Sequence, residues 1–189
     1  LPGHGGSARS ATGDYNFAMM AAALAGVLRA VAPAEPVTAL GHSLGGVLAL
    51  ELAGGRHATP VECAIGIGIK VGWTEAELDR AAALARRPST VFGTRAEVVD
   101  RYLRVSGLAG LFQPDDRRIA PAIIRTAAES AVETGTAAES EAETAAGEGW
   151  QLTLDPRTFG VGAPPMTDLL AQAGCPVTLA AGEHDRMVT

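Results

Sequence analysis

Gly41-His42-Ser43-Leu44-Gly45-Gly46 stands between two apolar runs, Val37-Thr38-Ala39-Leu40 before it and Val47-Leu48-Ala49-Leu50-Glu51-Leu52 after it. The first run reads as a short buried strand and the second as the start of a helix. A serine flanked by glycines at such a junction describes a very sharp turn. Side chains at Gly41 and Gly45 are expected to collide there with the neighbouring strand or helix. The serine's own backbone is expected to be strained, by about 1–3 kcal/mol, a cost usually kept only where a site needs it. Ser43 Oγ would then stand above the end of the sheet. The helix N-terminus would offer the Leu44 backbone N–H to a developing oxyanion. The plainer alternative is a glycine-rich turn with an incidental serine.

Gly-x-Ser-x-Gly between a strand and a helix is the nucleophile elbow, and this one resembles that of the α/β-hydrolase superfamily. Two further segments carry the resemblance. Leu1-Pro2-Gly3-His4-Gly5-Gly6-Ser7 looks like the loop after strand 4 of esterase-like members, and Cys175-Pro176-Val177-Thr178-Leu179-Ala180-Ala181-Gly182-Glu183-His184-Asp185 looks like strand 7 and the loop of the catalytic acid. The resemblance implies an α/β fold class: a partial α/β-hydrolase fold with a parallel sheet flanked by helices and an inserted helical lid. Residues 1–72 would form the first part of the core, 73–160 the cap, and 161–189 the second part of the core. It implies Ser43 as nucleophile, Asp185 as acid, and Leu44 N–H as one oxyanion donor. Gly41, His42 and Gly45 would form the elbow turn, with His42 lining the pocket or packing beneath the turn.

The pattern departs from the family at both ends. The family's triad runs serine, acid, histidine, whereas the four histidines here are His4, His42, His57 and His184, and none follows Asp185. His184 is the acid's neighbour in a loop and is not expected to serve as the base. The family's first strands and its upstream oxyanion loop have no counterpart, and His4-Gly5 suits a structural turn at the pocket edge. The expectation is an internal segment of a longer reading frame, nearly inactive and marginally stable by itself. One edge of the elbow strand would be bare.

Composition narrows the classes. Of 189 residues, 47% are hydrophobic and 19% charged, a globular balance. Aromatics are only 4%, so aliphatic residues must fill the core. A net charge of −6 gives no support for nucleic-acid binding, which wants a basic face. No apolar run has the roughly 18–20 residues of a membrane span. Cys63 and Cys175 read as small buried hydrophobes, and two cysteines without a spacing pattern imply neither disulfide nor metal. A cytoplasmic setting is the default expectation.

Along the chain, Asp14 would cap a helix from about Tyr15 to Val31, closed by Pro33 and Pro36. Val61–Ile69 reads as a strand whose glycines allow close approach of a neighbour. The order of strand, helix and strand predicts a parallel sheet with helices on both faces. Thr74 and Glu77 fit a capping box before a helix ending near Arg87. Helical spacing recurs at 96–105 and 121–132, with Val98, Val99 and Leu103 on one face of the former. From Thr126 to Gly149 the sequence is mostly Ala, Glu, Thr, Ser and Gly, a solvated helix pair or lid segment. Glu139, Glu141 and Glu143 there do not share a helical face and make a poor metal site. Trp150 and Phe159 could line an acyl pocket, but aromatics more often pack. Pro164-Pro165 leads into a short helix, 166–173, before the strand at 175–181.

The expected activity is hydrolysis of an ester-like small molecule by acyl transfer through Ser43, without metal or cofactor. No nucleic-acid or membrane partner is implied. A serine nucleophile argues against the superfamily's haloalkane and epoxide branches. Ester, thioester, lactone and carbon–carbon bond hydrolysis stay open. The alternatives are a non-catalytic binding module on the same fold and a non-functional truncated product.

Overall fold

The computed structural model describes residues 1–33, 35–126 and 149–185. Helix α1, Phe17–Val31, starts at Asn16, whose side-chain oxygen accepts from the Met19 N–H at 2.8 Å. The cap is therefore Asn16 rather than Asp14, because only a residue directly before the first turn can reach the N3 amide. Strand β1 (Val37–His42), helix α2 (Leu44–Ala53) and strand β2 (Val61–Ile67) follow in order. β1 and β2 run parallel with Leu40 opposite Ile65 and His42 opposite Ile67. The late strand β5, Val177–Ala180, pairs parallel with the other side of β2, so the sheet order is β1-β2-β5. β1 is thus an edge strand of this sheet.

Helix α2 is apolar on every side but for Glu51, and its residues from Gly46 to Ala53 are all buried. A helix of that kind needs cover on every side. It receives the sheet on one side, where Ala39 and Ala64 meet it, and α1 and the short helix α5 (Met166–Gln172) on others. Met20, Leu48 and Leu50 are fully buried in the resulting cluster. Each such leucine contributes about 1.5–3 kcal/mol by leaving water. The described residues provide helical cover for one face of the sheet, not both.

By its contacts the chain divides into two units, Leu1–Gly3 with Ser7–Arg87 and Pro156–Thr189, and His4–Gly6 with Pro88–Asp155. The first contains the sheet and helix α3, Glu75–Ala85, opened by the Thr74–Glu77 capping box. The second contains α4, Arg95–Val105, opened by an equivalent box of Thr94 and Glu97. It also contains an antiparallel pair, β3 (Ile123–Thr126) and β4 (Gly149–Leu152). Val98, Val99 and Leu103 are buried there with Ile119 and Ile123, and Trp150 packs against them. The helix expected over 121–132 does not form over its described part. Pro121 closes a 3-10 turn, Arg117–Ala122, and β-branched Ile123 and Ile124 pair instead with Leu152 and Gln151. The rest of that span, and Glu139, Glu141 and Glu143, lie outside the described residues. No described helix is long and apolar enough to cross a membrane.

Candidate active site

The turn between β1 and α2 is where the sequence placed it. Ser43 has φ 51° and ψ −119°, a backbone conformation that side-chain-bearing residues avoid. Together with Ala58 it is one of two described non-glycine residues with positive φ. Its N–H donates to the Ile67 carbonyl at 2.8 Å, and its carbonyl accepts from Gly46 and Val47. The strained residue is therefore pinned from both sides, and it is exposed. Leu44 is the first residue of α2. Its N–H has no carbonyl partner within the helix and sits at the positive end of the helix dipole.

The glycine requirement is real at Gly41, where a Cβ would stand 2.1 Å from the Gly45 carbonyl carbon and oxygen. At Gly45 the expectation is corrected, since a Cβ there would meet nothing within 4 Å. The crowded position is Gly46, whose Cβ would lie 2.7 Å from Ile69 Cδ1. The residue two positions after the serine turns away from the strand, and the next one turns toward it.

Asp185 lies in the loop after β5, where its N–H donates to the Gly182 carbonyl at 3.0 Å. His42 is exposed at the end of β1. Both side chains converge over Gly68. A Cβ built there would be 3.1 Å from His42 Nε2 and 3.3 Å from Asp185 Oδ2. Gly68 itself has φ +60° and directly follows β2. Sequence reasoning missed it as a site residue. Its signal was the Ile-Gly-Ile-Gly-Ile run, which we read as allowing general close approach. Gly66 does serve that purpose, facing Ile69 and Leu179, while Gly68 serves the loops.

His184, beside the acid, is exposed, as is Phe159. Trp150 packs in the second unit's core. A mainly apolar cavity of about 240 Å³ between the N-terminal residues and α1, bordered by Pro2, Leu24 and Val27, includes none of Ser43, His42 or Asp185. Beyond Gly68 the chain reaches Lys70, whose Nζ is 3.1 Å from Glu77 Oε1. The Thr74 backbone N–H, joined by Lys70, holds the Glu77 carboxyl down to about 2. Cys175 is no rival nucleophile, because burial and then neighbouring Cys63 push its thiol up.

The sequence matches the model of the alpha/beta hydrolase fold family over residues 1–189. No curated protein sequence matches it. Solved structures share the fold at low identity, among them the following three. A hypothetical protein of Pseudomonas aeruginosa PAO1 is 19% identical with a TM-score of 0.62, over 97% of this chain and 62% of that one. An esterase of M. tuberculosis is 22% identical with a TM-score of 0.64, over 100% and 59%. The thioesterase domain from the curacin biosynthetic pathway is 17% identical with a TM-score of 0.65, over 97% and 63%. The chain thus spans less than two thirds of each of these structures.

Proposed function

This chain belongs to the alpha/beta hydrolase fold family, and on that premise we propose that it carries the nucleophile and acid of a serine hydrolase acting on an ester-like small molecule. The observation that carries the reading is the backbone of Ser43, at φ 51° and ψ −119° on an exposed strand-to-helix turn. Strain at a polar residue facing solvent has no packing gain to offset it, and such strain concentrates at active sites.

In this reading Ser43 Oγ attacks the carbonyl carbon of the substrate while an imidazole takes its proton. Asp185 orients that imidazole and stabilises its charged form. The Leu44 N–H, aided by the dipole of α2, faces the oxyanion, a donor worth on the order of 10²–10³ in rate where such groups have been removed. The reading requires a histidine C-terminal to Asp185, the place the family resemblance gives it. The tetrahedral adduct then collapses to the acyl-serine as the imidazolium gives its proton to the departing alcohol or thiol, and water, with the same imidazole as base, releases the acid and restores Ser43. The esterase and thioesterase among the structural neighbours favour an oxygen or sulfur ester as substrate.

The test uses the full-length protein. A fluorophosphonate probe is expected to label Ser43, and a panel of esters, thioesters and lactones to reveal turnover. Ser43→Ala should abolish labelling and lower kcat by up to about 10⁶. Labelling that persists in Ser43→Ala would remove the serine from this role.

A further inference from the structure

We infer that Gly68 and His42 are positioning residues for the Asp185 carboxylate, joined to the nucleophile through one peptide group. This deepens the proposed function and rests on it. The Ile67–Gly68 peptide is bonded at both ends. Its carbonyl accepts from the Ser43 N–H at 2.8 Å, and its N–H donates to the Ala180 carbonyl at 2.8 Å. Ala180 is the last residue of β5, from which the acid's loop departs. The peptide therefore fastens the strained elbow to the root of the acid loop. A shift of one is passed to the other through two short bonds.

Above that peptide Gly68 has no side chain, and His42 Nε2 and Asp185 Oδ2 occupy the room a Cβ would take, at 3.1 and 3.3 Å from its position. The imidazole and the carboxylate thus stand over the same glycine, and each is limited in how far it can move only by the room that the missing side chain leaves. A β-carbon at position 68 would act twice. It would strain a backbone at φ +60°, which L residues other than glycine seldom adopt, and it would press on both polar groups. An acid that orients a catalytic imidazole tolerates little displacement, since a misplacement of about 1 Å can cost about 100-fold in rate.

The experiment compares Gly68→Ala, His42→Ala, His42→Gln and Gly66→Ala in the full-length protein. Its readouts are kcat and KM for an ester substrate, the rate of fluorophosphonate labelling, and Tm. Gly68→Ala should lower kcat and labelling by about 10–100-fold with KM changed by less than about twofold. His42→Ala should lower kcat by about 10-fold, and His42→Gln, which keeps a polar nitrogen near the Nε2 place, should restore most of it. Gly66→Ala is the control for crowding alone, because the atoms nearest its Cβ would be side-chain atoms of Ile69 and Leu179. It should lower Tm and leave kcat per labelled serine near wild type.

Should Gly68→Ala fail to fold, the two His42 variants decide. Equal impairment of His42→Ala and His42→Gln, or wild-type rates in both, overturns the positioning role. If wild-type protein labels only through Ser43 yet Gly68→Ala and His42→Ala react as fast, the inference falls and the serine reading stands. If wild type does not label at Ser43, both fall.

Discussion

The sheet formed by β1, β2 and β5 has one face against α2, where Ala64 and Gly66 are buried, and another on which Leu40 is 65% exposed and Ile67 40% exposed. The two faces are built from the same strands by simple alternation, and the open one mixes apolar Leu40, Ile65 and Ile67 with polar Thr38 and His42. Thr38, Leu40 and His42 of β1 lie opposite Cys63, Ile65 and Ile67 of β2 on the open side. Parallel strands with near-continuous apolar sequence are the kind that both faces of a layered α/β fold bury. The contrast teaches that apolar sequence in these strands reports a capacity for burial, whereas packing is achieved only where a helix has the matching stripe. Helix α2, apolar but for Glu51, supplies it for one face.

The contrast is broken most severely at Gly41, on the covered face. Gly41→Ala places a methyl 2.1 Å from backbone atoms of Gly45, which cannot move without displacing the first turn of α2. A loss of more than about 4 kcal/mol, or no folded protein, is expected, because the clash is with backbone rather than a mobile side chain. Urea denaturation followed by circular dichroism checks it.

A matched leucine pair measures the two faces directly. Leu48→Ala, at a site 1% exposed in α2, should cost about 2–5 kcal/mol through lost burial and the cavity left behind. Leu40→Ala on the open face should change stability by less than about 0.5 kcal/mol. Equal losses at the two sites would show that the open face is covered in solution.

Gly45 and Gly46 make the same comparison within one turn. Gly46→Ala presses on Ile69 Cδ1 at 2.7 Å, the far end of a side chain that can yield, so a cost of about 1–3 kcal/mol is expected. Gly45→Ala meets open space in a helix, and replacing a helical glycine there should stabilise by about 0.4–1 kcal/mol. A Tm that falls for both variants would return Gly45 to the crowded role the sequence motif suggested.

That reversal shows where the sequence was legible. The elbow was visible because backbone strain and a 2.1 Å approach at Gly41 leave no choice of residue. Which of two successive glycines faces the strand depends on the helical phase of α2, and the spacing alone does not carry it. The capping box at Thr74 was legible because both of its bonds are local. The equally local box at Thr94 and Glu97 carried the same signal and was passed over. The β3–β4 pair was not legible, since Ile123 and Leu152 meet only through long-range pairing, and β-branched residues after Pro121 were outweighed by helical spacing. In the candidate site, Ser43 and Asp185 were named from motifs. Gly68 went unrecognised because its role depends on two loops that close only in the folded sheet.

The smallest expected effect lies off both faces, where the chain leaves β2 for α3. Glu77 accepts from the Thr74 N–H and pairs with Lys70, and its carboxyl is lowered from 4.5 to about 2. A carboxylate depressed in the folded state adds stability above its unfolded value, and that contribution disappears as pH falls through the folded value. The difference in urea midpoint between wild type and Glu77→Gln should therefore be constant near neutral pH and shrink between 4.5 and about 2. Because the group is only half-buried and reached by solvent, the difference should be small and should shrink further in high salt. A difference that grew on acidification would mean that burial, not charge, sets the worth of this capping box. The entry to α3 would then behave like the covered face of the sheet.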